Sequence, residues 1–173
     1  MMKKNRALFL DRDGILIEDT GYPHKPQDIT FIDDAVALCR AAQDKGYLNI
    51  VVTNQSGIAR GMFSEHEVVV LHEWMQNELA EQGVTITRFY VCPYHVDAAV
   101  QRYRRNSPDR KPNPGMVQKA QQEYDIDIAG SLMVGDKPSD RIRLAKLRTV
   151  VVKSKYTGDE YDVESIPEVI KYL

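Results

Sequence analysis

Short apolar runs that end in polar or charged residues recur along this chain, separated by stretches whose apolar positions repeat at helical spacing. Ala7-Leu8-Phe9-Leu10 stops at carboxylates, the pattern of a buried parallel strand whose end opens into a site. From about Asp34 to Lys45, residues Ala35, Leu38, Cys39 and Ala42 share one helical face, and Gly46 stands where that helix should end. Leu48 to Thr53, rich in Ile and Val, predicts a second buried strand, with Thr53-Asn54-Gln55-Ser56-Gly57 as the loop that closes it. The clearest helix runs from Ser64 to Gln82, because Ser64 and Glu67 make a capping-box pattern and Gly83 follows the last turn. Arg88 to Cys92 predicts a third strand, Leu132-Met133-Val134 a fourth, and Thr149 to Val152 a fifth after a short helix. Pro114 suits the first turn of a helix reaching about Tyr124, and the segment up to Leu173 should add a terminal one. Between Pro93 and Pro112 the periodicity dissolves into polar and basic residues, which marks a long surface loop.

Strands alternating with helices predict an α/β fold, a doubly wound parallel sheet of about five or six strands covered on both faces. The 173 residues show no repeat, no linker and no large cap insertion, so residues 1–173 read as one domain able to bury its own core. A formal net charge of −2 argues against a nucleic-acid partner held by overall charge. The two cysteines, Cys39 and Cys92, form no secreted-type framework, and a reducing cytoplasm is the natural setting. Met1 to Arg6 is basic but precedes only four apolar residues, too few for a signal-peptide core or a membrane span. A monomer with no membrane partner is expected.

In a doubly wound sheet, ligands bind beyond the carboxyl ends of the strands, near the point where strand order reverses. Four polar motifs fall at such ends: Asp11-Arg12-Asp13-Gly14, Thr53-Asn54-Gln55-Ser56, Arg110-Lys111-Pro112 and Gly135-Asp136-Lys137. Asp11 and Asp13, two apart on an extended chain, share a side, and paired carboxylates repel unless a divalent cation joins them. Mg²⁺ suits such a set, with Asp136 arriving from a neighbouring strand end as a third carboxylate. Phosphate-monoester hydrolysis demands this kind of positioning and charge neutralisation. Each motif alone also has a plainer reading: Asp-x-Asp in a calcium loop or sugar-nucleotide site, Thr53-Asn54 as a turn, Asp136 as a helix cap, Lys111 as a solvated lysine. The ordered set, each member at an element boundary, favours the chemical reading.

The set resembles the haloacid dehalogenase superfamily, and within it the branch of small histidinol-phosphatases and heptose-bisphosphate phosphatases. The stretches that carry the resemblance are Phe9-Leu10-Asp11-Arg12-Asp13-Gly14, Val52 to Gly61, Arg110-Lys111-Pro112 and Val134-Gly135-Asp136-Lys137. The resemblance implies Asp11 as nucleophile, Asp13 as acid/base, Thr53 and Lys111 as phosphoryl stabilisers, and Asp11, Asp13 and Asp136 as Mg²⁺ ligands. It further implies substrate contacts from Asp19, Gly21 and Tyr22, from Asn54, Gln55 and Ser56, and from Arg110 and Lys137. Asp19-x-Gly21-Tyr22 and Lys137 bring the chain closer to the heptose-bisphosphate phosphatases, whose reaction removes the 7-phosphate of D-glycero-D-manno-heptose 1,7-bisphosphate on the way to lipopolysaccharide or glycoprotein heptose. Histidinol phosphate, another small phosphomonoester, or a nucleic-acid 3′-phosphate are the alternatives, with a non-catalytic binding module last. The branch also carries a structural zinc held by Cys-x-His and Cys-x-Cys. Here His95 is displaced by one position after Cys92, and Ser107-Pro108-Asp109 replaces the second pair, so zinc is not expected, and the loop is either held by its own packing, Tyr94 and Tyr103 included, or mobile. His24, His66 and His72 read as surface or helix-face residues, and Arg102-Tyr103-Arg104-Arg105 as a solvated face.

Overall fold

The computed structural model describes residues 4–173; Met1 to Lys3, half of the basic lead read from the sequence, lie outside the described residues. Five strands make one parallel sheet: β1 (Arg6–Leu10), β2 (Tyr47–Asn54), β3 (Ile86–Cys92), β4 (Leu132–Gly135) and β5 (Arg148–Val151). Their order is β3-β2-β1-β4-β5, so the chain winds outward from β1 to β3 and then crosses back to start again on the other side of β1. The reversal sits at the carboxyl end of β1, where such sheets bind ligands.

Alternation along β1 explains how both faces are covered. Leu8 and Leu10 face α1 (Asp33–Asp44) and α3 (Glu65–Glu81), packing with Leu38, Cys39, Leu71, Met75 and Leu79. Ala7 and Phe9 face α4 (Gly115–Tyr124), packing with Met116, Val117 and Ala120. The capping box is formed: the Glu67 amide donates to Ser64 Oγ at 3.1 Å, and the Ser64 amide donates to Glu67 Oε2 at 2.8 Å. Gly46 and Gly83 take φ of +81° and +77°, the left-handed geometry that ends α1 and α3. A four-residue helix, α2 (Ser56–Ala59), follows directly on β2.

Two segments depart from the sequence reading. Between β4 and β5 the expected helix is a single 3₁₀ turn, Pro138–Asp140, followed by irregular chain. There the Asp140 carboxylate accepts the amides of Asp136 and Lys137, each at 3.0 Å, the capping pattern of a helix start, yet the turn ends at Asp140. Ile142, with Leu144 and Leu147, covers the sheet in its place. The terminal element is likewise a 3₁₀ helix, Ile166–Tyr172, with Ile166 and Val169 buried in the cluster that includes α1.

The 93–112 loop is packed. Tyr103 is buried with Ile58, Ala59, Phe63 and Val68, and its hydroxyl donates to Glu65 at 2.8 Å. Its ring meets Tyr94 at 6.1 Å between centroids, and Arg105 lies 4.1 Å from the Tyr94 ring centre. The basic run thus covers aromatic surface as well as facing solvent. His95 Nδ1 accepts the Asp97 amide at 3.0 Å, and Asp109 is ion-paired to Lys119. No helix among the described residues is long and apolar enough to cross a membrane.

Candidate active site

Strand register sets the site. Leu10 pairs with Val51 on one side and Val134 on the other, so the residues that overrun this line converge beyond it: Asp11 after β1, Thr53 and Asn54 at the end of β2, and Asp136 after β4. The Asp11 amide still donates to the Val134 carbonyl at 3.0 Å, which holds the first residue after β1 in the sheet's line. Gly14 is required where the chain turns away, because at its φ of +91° a Cβ would come within 2.1 Å of the Asp136 carboxylate.

Lys111 is the centre of the buried charge. Its Nζ lies 2.8 Å from Asp11 Oδ1 and 2.7 Å from Asp140 Oδ1, with all three side chains nearly inaccessible. Burial alone would lower the lysine's pKa, but Asp11 and Asp140 outweigh it and hold the group above its ordinary value, as an ammonium. A clasp from β2 aims it: the Lys111 amide donates to Asn54 Oδ1 at 3.0 Å, and Asn54 Nδ2 donates to the Lys111 carbonyl at 3.2 Å.

Asp11, Asp136 and Asp140 each bring a carboxylate oxygen within 4.8 Å of the others, the one such acidic group found among the described residues. They are not equivalent. Both oxygens of Asp140 are occupied, by Lys111 and by two backbone amides, whereas Asp136 Oδ1 is buried with no hydrogen-bond partner. Burial, and then the negative charge of Asp11, push the Asp136 carboxyl up to about 7. An unpartnered buried carboxylate oxygen facing a second carboxylate is the donor set a hard cation needs.

The third carboxylate grouped with Asp11 and Asp136 is Asp140, while the Asp13 side chain is paired elsewhere. Arg12 accounts for the difference. Its guanidinium, 0% exposed, donates to Asp13 Oδ1 from Nη2 at 3.0 Å and from Nε at 3.2 Å. Gln55 Nε2 donates to Asp13 Oδ2 at 2.9 Å and to Thr53 Oγ1 at 2.8 Å, while Gln55 Oε1 accepts from Arg12 at 3.1 Å. Gln55 thus positions its neighbours as well as lining the cleft. Arg12 Nη1 also lies 3.0 Å from His72 Nε2. Burial and the nearby guanidinium hold His72 well below its usual pKa, so the ring is neutral and its Nε2 accepts. His72 is therefore a buried support under the site, stacked on Phe89 at 4.2 Å, rather than a surface residue.

Two cavities meet here. One of about 170 Å³ is lined by Asp11, Asp13, Asn54, Ser56, Arg110, Lys111, Lys137 and Ser139. The other, of about 300 Å³, is lined by Asp13, Asp19, Gly21, Tyr22, Asn54, Gln55, Ser56, Lys137 and Tyr156. All the residues expected at the site border one cavity or the other, except Thr53 and Asp136, which are buried behind them. Asp140, Arg12, Ser139 and Tyr156 were not foreseen. For Asp140 the signal was an acid four residues after Asp136; the other three are placed by contacts that no local pattern encodes.

A switch-point aspartate, a buried lysine beside it and a second acid with an unpaired oxygen define a phosphatase of the haloacid dehalogenase type. The chain belongs to that superfamily, in the family described as polynucleotide kinase 3 phosphatase, whose sequence model matches residues 7–162. It is 48% identical to a D-glycero-α-D-manno-heptose-1,7-bisphosphate 7-phosphatase of Burkholderia mallei, over 79% of this chain and 72% of that one. It is 42% identical to the β-anomer enzyme of Pasteurella multocida, over 99% and 97% of the two chains. A HAD-like phosphatase from Mesorhizobium loti superposes with a TM-score of 0.80 at 34% identity, covering 88% of this chain and 74% of that one. The D,D-heptose 1,7-bisphosphate phosphatase of B. bronchiseptica, solved with magnesium and phosphate, shares the fold with a TM-score of 0.76 at 24% identity, over 96% and 97% of the two chains.

Proposed function

We propose that this chain is a cytoplasmic, Mg²⁺-dependent phosphatase that removes the 7-phosphate of D-glycero-D-manno-heptose 1,7-bisphosphate through an aspartyl-phosphate on Asp11. The observation that carries this reading is Asp11 itself. Lys111 Nζ and the Arg12 amide, each at 2.8 Å, both engage Oδ1, which leaves Oδ2 as the attacking oxygen. The relatives' names supply the sugar.

Asp11 Oδ2 attacks phosphorus, the bond to the sugar oxygen breaks, and Asp13 delivers a proton to the departing alkoxide. A water then attacks the aspartyl-phosphate, Asp13 takes its proton, and inorganic phosphate leaves as Asp11 is regenerated. Arg12 and Gln55 hold Asp13 for both half-reactions. Lys111 meets charge as it spreads onto the phosphoryl oxygens, with Lys137, Arg110 and Ser56 on the same cavity wall. Asp11, Asp13 and Asp136 would hold the Mg²⁺, which would supply charge neutralisation between the anionic nucleophile and the anionic substrate.

Phosphate release from a panel of heptose bisphosphate, histidinol phosphate and a 3′-phosphorylated oligonucleotide tests the assignment. Heptose bisphosphate should show the highest kcat/KM, with one phosphate released per molecule; a higher value for either competitor overturns the substrate.

A further inference from the structure

Most of the 300 Å³ cleft is built from the first half of the chain, but one wall comes from the turn after β5. That turn is pinned beneath the site: Ser154 Oγ donates to the Asp136 carbonyl, and the Tyr156 amide donates to Ser154 Oγ at 3.0 Å. Tyr156 is thereby carried to the cleft, 42% exposed, with Lys155 Nζ 5.0 Å from the centre of its ring.

Its hydroxyl donates to Asp19 Oδ2 at 2.7 Å. Lys137 Nζ reaches the same oxygen at 3.3 Å and lies 4.8 Å from the centre of the Tyr156 ring. The Gly21 amide donates to Asp19 Oδ1 at 3.2 Å. Burial works against ionisation of Asp19, but Tyr156, Lys137 and the Gly21 amide outweigh it and hold the carboxyl below its usual pKa. A fixed carboxylate at this point can accept hydroxyl groups. Tyr22, 40% exposed on the same cleft, adds another aromatic surface on which carbon-bound hydrogens can pack. Acceptor oxygens and partly exposed rings suit a hydroxylated carbon chain.

We propose that Tyr156 is a specificity-determining residue, which grips the hydroxylated chain of the substrate with its ring and phenol and keeps Asp19 aimed at the same hydroxyls. The inference rests on the substrate being a sugar phosphate, though not on which sugar. Wild type, Tyr156→Phe and Tyr156→Ala are to be compared on heptose bisphosphate and on p-nitrophenyl phosphate, which lacks the hydroxylated chain. Loss of the hydroxyl in Tyr156→Phe should raise KM for the sugar roughly threefold to tenfold, and Tyr156→Ala should raise it further. Neither variant should change kcat for the sugar, or either constant for p-nitrophenyl phosphate, by more than about twofold. Equal losses on both substrates, or an unchanged KM for the sugar, overturn the proposal. If wild type does not favour heptose bisphosphate, the substrate assignment fails first. The best sugar phosphate of the panel then takes its place, and an unchanged KM there overturns the role of Tyr156 alone.

Discussion

The two cavities that meet at Asp13 are built in different ways. Around Asp11, Lys111 and Asp140 every charge is buried and held by strand ends and backbone amides, and exchange of one partner strands another. Around Asp19, Lys137 and Tyr156 the same kinds of groups sit on turns and are partly open to water. Ion pairs of the first kind are strongly coupled to folding, and those of the second kind contribute little to it. On the proposed reading, bond-breaking chemistry occupies the buried half of the site and recognition the half open to water.

Substitutions that separate the two halves test that division. The largest effect should come from Asp11→Asn, which lacks the nucleophile and should lose roughly a thousandfold or more of kcat on every phosphomonoester, as in other cases where a reacting group is removed. Turnover retained within tenfold would show that the phosphoryl group is not transferred to Asp11. Next, Asp140→Ala leaves Lys111 with one counter-ion instead of two and should cost about 3–5 kcal/mol of folding stability in denaturant titrations. Asp19→Asn, across the boundary, should change stability by no more than about 1 kcal/mol while altering KM. Similar stability losses in the two variants would erase the distinction.

The smallest effect is a pH dependence confined to the buried half. Asp136, raised from 3.8 to about 7 in the metal-free fold, contributes its full stabilising effect below its unfolded pKa and loses it as pH rises through about 7. Asp136→Asn has no such proton to lose. In chelator, the melting temperature of wild type relative to this variant should therefore fall between pH 5 and pH 8; a constant difference would show that Asp136 ionises normally.

Much of this was legible in the sequence because strand-end motifs carry local signals. Asp11, Thr53, Lys111 and Asp136 each lie at a boundary between an apolar run and a polar one, and their convergence follows from sheet order alone. What the sequence did not show is the side-chain pairing of Asp13, because spacing shows which way a side chain leaves the backbone, not which partner captures it. Arg12 captures it, and an arginine is buried this completely only when its partners are in place. Two of them, Gln55 and His72, lie 43 and 60 residues away. Tyr156 was hidden for the same reason, since its partner Asp19 is 137 residues distant. Between β4 and β5 a short helix was expected, and only its capped first turn, Pro138–Asp140, is formed.

The neutral imidazole of His72 leaves the whole guanidinium charge of Arg12 to Asp13, and this sets the electrical balance of the corner. Four carboxylates, those of Asp11, Asp13, Asp136 and Asp140, face two fixed cations, Arg12 and Lys111. With all four ionised, two negative charges remain, the charge that one divalent ion carries. A divalent ion held there would bring the corner to electroneutrality before any phosphate arrived. The dianion of the substrate would then enter a corner already in balance, so its attraction would have to come from the rim, where Arg110 and Lys137 stand.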